Sequence, residues 1–233
     1  CFLTPEMRRE YGGTSGNIAY NLKMLGGEPV VMATVGDDSA PYLQHLHALG
    51  IPTGHVRCVG GTFTAQAFIT TDLDDNQITA FHPGAMTHSH ENHVTPELGA
   101  KLATISPDGK EGMHQHARQC AEHGIPFLFD PGQGLPMFSG PELDEFIGLA
   151  DYVAVNDYEG KLLEDKTGRK LEAMAQEVKA LIVTLGAHGS HIYAGGKRIE
   201  VPCVEAEAVV DPTGCGDAYR AALLYGIANG WDW

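Results

Sequence analysis

The chain has 233 residues, 43% of them hydrophobic, which is enough for a full core in one or two domains. Its 15 basic and 30 acidic residues give a formal net charge of −15, which argues against nucleic acid and anionic membranes as partners. No apolar run reaches membrane-spanning length and no signal peptide is visible, while five scattered cysteines without a C-x-x-C pair argue against a disulfide framework or a zinc knuckle and predict a cytoplasmic protein.

The first residue is Cys1 and the last stretch is GWDW, so further residues of the protein are expected beyond both ends. Residues 15–27 predict a helix: Ile18, Leu22 and Leu25 recur at helical spacing, Thr14 or Ser15 caps the start, and Gly26-Gly27 stops it. The continuous apolar run 29–36 predicts a strand buried on both faces. A helix is expected over 40–50, ending at Gly50. Residues 63–72 and 77–83 read as a hairpin around the turn LDDN. The stretch 82–97 is the most loop-like of the chain.

The second half alternates. Strands are expected at 102–106, 126–132, 151–156 and 180–186, and helices at 110–124, 141–150, 157–168 and 171–179. A last helix follows the glycines near 214. Unbroken apolar strands alternating with helices predict a parallel sheet covered on both faces. The polar hairpin does not fit that layer and predicts a side sheet or lid.

The chemistry concentrates in the stretch VVDPTGCGDAYRAALLYGIANG (209–230). Gly214, Cys215 and Gly216 precede a helix, where their N–H groups can converge on one spot and the helix dipole adds positive potential. That arrangement makes an anion hole. Asp217 beside it would repel bound phosphate, so it suits a general base that takes a proton from an attacking hydroxyl. An acidic residue in a first helical turn that only caps the helix is the competing reading. Asn156 and Glu159 equally fit an N-cap with its capping-box partner. The Cys215 thiol is read as a small side chain lending its backbone N–H. His82, His88, His90 and His93 have spacing that could hold a transition metal, but a solvated stretch is the simpler reading.

The stretch DPTGCGD resembles the C-terminal signature of the ribokinase/PfkB family of carbohydrate and nucleoside kinases, usually written D-T-x-G-A-G-D. GGTSGNIAYNLKMLGG, VGDDSAPYLQHLHALGI, VNDYEGKLL and VTLGAHGS resemble further family motifs in family order over nearly all 233 residues. The details are most similar to a bacterial adenosine-kinase-type branch. The resemblance implies one kinase domain over 1–233 with the α/β, three-layer α/β/α Rossmann-like fold and a small β-sheet lid from about 1–12 and 61–85. It implies ATP and Mg²⁺ as cofactors, with a monovalent cation as a further one, and a monomer or homodimer. Asp217 would be the base, and Gly214, Cys215 and Gly216 the anion hole. Asn156 and Glu159 would organise Mg²⁺, with Glu159 acting through water. Thr184, Gly186 and Gly189 would lie on the ATP side. Gly12, Gly13 and Asn17 would meet the sugar, Phe81 would stack on a purine, and Gln133 would contact the base.

The chain also departs from the pattern. No Asp precedes Tyr11 in the place of the family's first-strand Asp, and the nucleotide-side region after the last helix is absent. Ala67 and Gly134 stand where a related adenosine kinase has a second aromatic and a second Gln. The expected function is therefore transfer of the γ-phosphoryl of ATP to the hydroxymethyl group of an adenosine-like nucleoside, with ribose, fructose or another sugar as alternative acceptor. A non-catalytic nucleoside or nucleotide sensor is the second hypothesis. A dinucleotide-dependent dehydrogenase is disfavoured because no G-x-G-x-x-G follows the first strand, and no P-loop motif occurs.

Overall fold

The computed structural model describes residues 6–72, 77–208 and 213–233. The hairpin turn LDDN, residues 1–5 of the expected lid and the strand end at 209–212 lie outside the described residues. The elements in chain order are α1 (Thr14–Met24), β1 (Met32–Val35), α2 (Ala40–Ala48), β2 (His55–Cys58), β3 (Gln66–Thr71), β4 (Gln77–His82), β5 (Ala103–Ile105), α3 (Lys110–Glu122), β6 (Phe127–Phe129) and α4 (Gly140–Leu149). They continue with β7 (Tyr152–Asn156), α5 (Asp157–Thr167), α6 (Leu171–Met174), β8 (Ala180–Thr184), β9 (Ser190–Ala194), β10 (Lys197–Val201) and α7 (Cys215–Ala228).

A six-stranded sheet runs in the order β10-β9-β8-β7-β6-β5. Strands β5 to β8 are parallel, and β9 and β10 return antiparallel at one edge. Alternate side chains of each strand point to opposite faces. Phe127, Phe129, Val153, Val155, Leu181 and Val183 face the core shared with α3 (Met113, Ala117), α4 (Leu143, Phe146) and α5 (Leu163). Leu128, Ala154, Ala180 and Ile182 face the other way, onto Ile18 of α1 and Ala221 and Leu224 of α7. The result is the expected three-layer α/β/α arrangement. The two faces differ in bulk. Phe129 stacks on Phe146 with ring centroids 4.5 Å apart, whereas alanines at 154, 180 and 221 let α1 and α7 lie close on the sheet.

Several elements depart from the sequence reading. The apolar run 29–36 yields only Met32–Val35, because Pro29 has no N–H to give a ladder; β1 pairs in parallel with β2 alone, outside the large sheet. The stretch 82–97 is not a loop. It contains 3-10 helices at Gly84–Glu91 and Pro96–Leu98, packed on α3 where Gln115 donates to the carbonyls of His90 and Asn92. The helix expected over 171–179 closes after Met174, where i→i+3 bonds from Gln176 and Glu177 tighten the chain before β8.

The hairpin forms as expected, with Ala67 opposite Phe81 and Phe68 opposite Ala80. Every described residue of β4 is exposed. Its root is tied to the body by consecutive aspartates. Asp38 Oδ1 accepts from the Thr64 amide and hydroxyl at 2.7 Å each, and Oδ2 accepts from the Gln66 side chain at 2.8 Å. Asp37 Oδ2 accepts from the Gly61 amide at 2.8 Å. Gly36 fits beneath this junction because a Cβ there would strike the Phe63 backbone.

Candidate active site

Ligands of open α/β sheets sit beyond the carboxyl ends of the strands. Here Asp130 follows β6, Asn156 ends β7 and Thr184 ends β8, with Asn156 and Thr184 paired in register. The head of α7 joins them. Gly214 is its N-cap, with φ 81 in the left-handed region that favours glycine. The first backbone bond of the helix runs from the Ala218 amide to the Gly214 carbonyl at 2.9 Å. The amides of Gly214, Cys215 and Gly216 stand at the head of this 14-residue helix, where among the described residues no backbone carbonyl accepts from them. Cys215 and Gly216 are exposed.

Asp217 lies in the first turn of α7 and is half-buried. Its Oδ2 accepts from the Asn17 side-chain amide at 2.8 Å, across 200 positions of sequence. Asn17 is itself placed by α1, whose N-cap Gly13 has φ 95 and whose first turn is closed by the Asn17 amide bonding the Gly13 carbonyl at 3.0 Å. The Asn17 amide group also sits 3.8 Å from where a Cβ on Gly214 would stand. Thus Gly13, Asn17, Gly214 and Asp217 come together. Burial pushes the Asp217 carboxyl above its ordinary range, while the Asn17 bond opposes that shift; Asp130 adds to it and Arg220 counters it. A carboxylate raised by desolvation binds a proton more readily, as a base must.

Asn156 and Glu159 form a real capping box at the start of α5. Asn156 Oδ1 accepts from the Glu159 amide at 2.7 Å, and Glu159 Oε2 accepts from the Asn156 amide at 2.8 Å. The capping reading is therefore correct as geometry. The box uses one carboxylate oxygen, leaving Oε1 outside it. Burial pushes the Glu159 carboxyl up, opposed by the Asn156 bond, with Asp130 raising and Arg220 lowering it further. Among the described residues no group of three or more His, Cys, Asp or Glu side chains could cage a metal ion. Mg²⁺ prefers oxygen ligands and keeps several waters, and Glu159 Oε1 with Asn156 are the groups here that would meet that preference.

In the turn expected to border the nucleotide, Thr184 Oγ1 donates to the Val155 carbonyl at 3.4 Å. Gly186 begins a 3-10 turn and Gly189 ends it with φ 84. A Cβ on Gly189 would strike the Val201 carbonyl oxygen, so the turn requires glycine there. The Tyr219 hydroxyl donates to Ser190 Oγ at 2.8 Å and ties α7 to the strand after that turn.

The remaining candidates sit farther out. Gly12 is exposed, and its carbonyl accepts from the Tyr42 hydroxyl at 3.0 Å. Phe81 is 55% exposed on the hairpin, and the Ala67 across from it leaves that side of its ring open. Gln133 is exposed in the 3-10 helix Gly132–Met137 after β6. A side chain at 134 would press on the flexible end of Met137, 3.2 Å from a Cβ on Gly134, and could enter only if that side chain moved aside. The histidines do not form a metal centre. His88 Nδ1 pairs with Glu91 at 2.9 Å, and His93 meets Gln115 and Gln119.

Sequence reasoning missed Asp130 and Arg220. Arg220 Nη2 donates to Asp130 Oδ1 at 3.0 Å, and both side chains are 7% exposed. The signal was a lone charge at 220 inside an Ala/Leu helix, one turn after Asp217.

Comparison with known proteins places the whole chain in one family. The family described as pfkB family carbohydrate kinase matches residues 3–233. A nucleoside kinase of Methanocaldococcus jannaschii is 34% identical over 230 residues, covering 98% of this chain and 76% of the relative. The solved nucleoside kinase of Burkholderia thailandensis in complex with inosine superposes with a TM-score of 0.95 at 55% identity, covering 100% of this chain and 77% of that one. The same kinase has been solved in an ADP-inosine complex, with a TM-score of 0.93 and 73% of that chain covered. The adenosine kinase of Sinorhizobium meliloti superposes with a TM-score of 0.77 at 26% identity, covering 95% of this chain and 72% of that one.

Proposed function

The chain belongs to the pfkB family of carbohydrate kinases, and from that premise we propose that it is an ATP-dependent nucleoside kinase. It transfers a phosphoryl group to the hydroxymethyl oxygen of a nucleoside. The single observation that carries the assignment is the contact between Asn17 and Asp217 at the head of α7. It joins the sugar-side glycine turn to the phosphate-side helix terminus at one carboxylate. A protein that only sensed a nucleoside would need no desolvated carboxylate at that point. Purine nucleosides are the acceptor class we favour, because the 55%-identical neighbour was solved with inosine.

The steps follow from the side chains. The Gly12-Gly13 turn and Asn17 seat the ribose so that its hydroxymethyl group meets Asp217. Asn17 holds Oδ2, which aims Oδ1 at the hydroxyl. The amides of Gly214, Cys215 and Gly216 cradle the γ-phosphoryl of ATP, and the dipole of α7 offsets its charge. Asp217 accepts the hydroxyl proton as the alcohol oxygen bonds to phosphorus and the bond to the ADP oxygen breaks. Mg²⁺, when bound, neutralises charge on the phosphates, and Glu159 with Asn156 would hold its water shell. Thr184, Gly186 and Gly189 border the nucleotide. Phe81 stacks on the base and Gln133 contacts its edge. No helix among the described residues is long and apolar enough to cross a membrane. The free thiols of Cys58, Cys120, Cys203 and Cys215 suit a reducing cytoplasm.

The test is Asp217→Asn, assayed by ADP formation with ATP, Mg²⁺ and inosine or adenosine. Turnover should fall by about 10²–10⁴-fold while ATP binding by calorimetry persists. Near-normal turnover would remove Asp217 from the base role.

A further inference from the structure

The interior ion pair between Asp130 and Arg220 has no part in the mechanism above, yet it sits directly beneath the base. Asp130 leaves the carboxyl end of β6, and Arg220 lies one helical turn after Asp217 on the buried face of α7. The pair spans 90 residues and joins sheet to helix at 3.0 Å, with the Ser106 hydroxyl 3.5 Å from the second Asp130 oxygen. A buried ion pair often adds little net stability, because desolvating both charges offsets their attraction. Its position therefore calls for a reason other than stability. Among the described residues, the charged groups acting on Asp217 are Asp130 and Arg220, while α1 presents the neutral amide of Asn17.

We propose that Asp130 and Arg220 are positioning residues: together they dock the first turn of α7 on the end of β6 and hold Asp217 in a balanced local field. The inference rests on Asp217 being the base. The two charges act on Asp217 in opposite senses, Asp130 making its proton harder to lose and Arg220 making it easier. Removing either one unbalances the field in a known direction, which no purely structural role would do.

The experiment measures kcat against pH for the ATP- and Mg²⁺-loaded enzyme with inosine, in four variants. Asp130→Asn leaves the guanidinium unopposed, so the acid limb should move to lower pH by about half a unit to one unit. Arg220→Gln leaves the carboxylate unopposed, so the limb should move up by a similar amount. The double variant should return the limb to the wild-type position, and Arg220→Lys should keep it there. Because docking is disturbed, kcat at its plateau should fall by about tenfold in the single variants, with KM for the nucleoside little changed. If Arg220→Gln does not fold, adding it to Asp130→Asn must still move the limb upward. Limbs that stay in place, or shift in the same direction in both single variants, overturn the proposal. Asp217→Asn serves as the internal control: if it retains turnover, the base assignment fails independently of this pair.

Discussion

The head of α7 and the β3–β4 hairpin treat their functional groups in opposite ways. At α7, Asp217 is half-buried and held by Asn17, and the helix is docked through Arg220 and Tyr219. On the hairpin, Phe68, Ile69, Ile78 and Phe81 are all more than half exposed. Because Ala67 pairs with Phe81 and Phe68 with Ala80, apolar side chains occur on both faces of this ribbon. A two-stranded ribbon is marginal by itself, and this one is tied at its root by the Asp37–Asp38 junction, with the Gly36 amide on Thr64 and the Ala85 amide on Phe63 beside it. The difference fits the demands of the reaction. Groups that move protons and charge need geometry fixed before substrate arrives. A surface that wraps an acceptor can instead gain its cover from the ligand.

The largest effect outside Asp217 should come from breaking the fixed side. Asn17→Ala removes a bond between an amide and a carboxylate worth about 1.5–3 kcal/mol. Turnover should drop by about 10–100-fold. Because the Asn17 bond holds the Asp217 carboxyl down against desolvation, its loss should also move the acid limb of kcat to higher pH. Steady-state kinetics across pH checks both; an unchanged limb would detach Asn17 from the base.

The hairpin should respond in binding rather than in chemistry. Phe81→Ala removes a stacking surface worth about 1–3 kcal/mol per base in comparable contacts. KM for a purine nucleoside should rise by about tenfold while kcat stays within about twofold. The melting temperature should hold, since the ring buries little in the free protein. A collapse of kcat instead would mean that the hairpin carries catalytic geometry, and the contrast with α7 would fail. Restoring an aromatic opposite it, as Ala67→Phe, should lower KM.

Much of the fixed side was legible in the sequence because its devices are local. Glycines before a helix announce exposed amides, and Asn156 with Glu159 reads as a cap from four residues. The resemblance put Asn17 against the sugar and made Asp217 the base, but the bond between them was not legible, since nothing local links positions 200 apart. Asp130 and Arg220 escaped for the same reason. Asp130 reads as part of the strand expected over 126–132 and Arg220 as a polar break in a helix face, and the packing of α7 on the end of β6 joins them. Strands β2, β9 and β10 were invisible because HVRC, SHIYA and KRIEV mix polar or charged residues with apolar ones at a sheet margin. Their strand character comes from the neighbours they pair with. The 3-10 helix at Gly84–Glu91 was hidden by composition, its turns being set by contacts of Ser89, His90 and Asn92 with α3.

The smallest expected effect lies at the junction between the two regions. Bonds from the Thr64 amide, above all, hold the Asp38 carboxyl below the ordinary carboxylate range; burial opposes this, and the Thr64 hydroxyl adds to it. A carboxyl depressed in the folded state stabilises the fold above its unfolded pKa, and that contribution is lost as pH falls through the folded value. The hairpin root should therefore be fastened at neutral pH and loosen only under acid conditions. The site is solvent-screened, so the whole-protein effect should be slight: Asp38→Ala should lower the melting temperature by about 1–3 °C at pH 7. Locally the change should be clearer, with faster hydrogen exchange at the Thr64 amide and KM for the nucleoside raised by about two- to threefold. Turnover should not move, because among the described residues Asp217 and the head of α7 receive no bond from this junction. The melting difference between variant and wild type should shrink as the buffer is acidified past the Asp38 pKa. A difference that persists unchanged in acid would show that packing of the Asp38 side chain, rather than its charge, fastens the ribbon to the body.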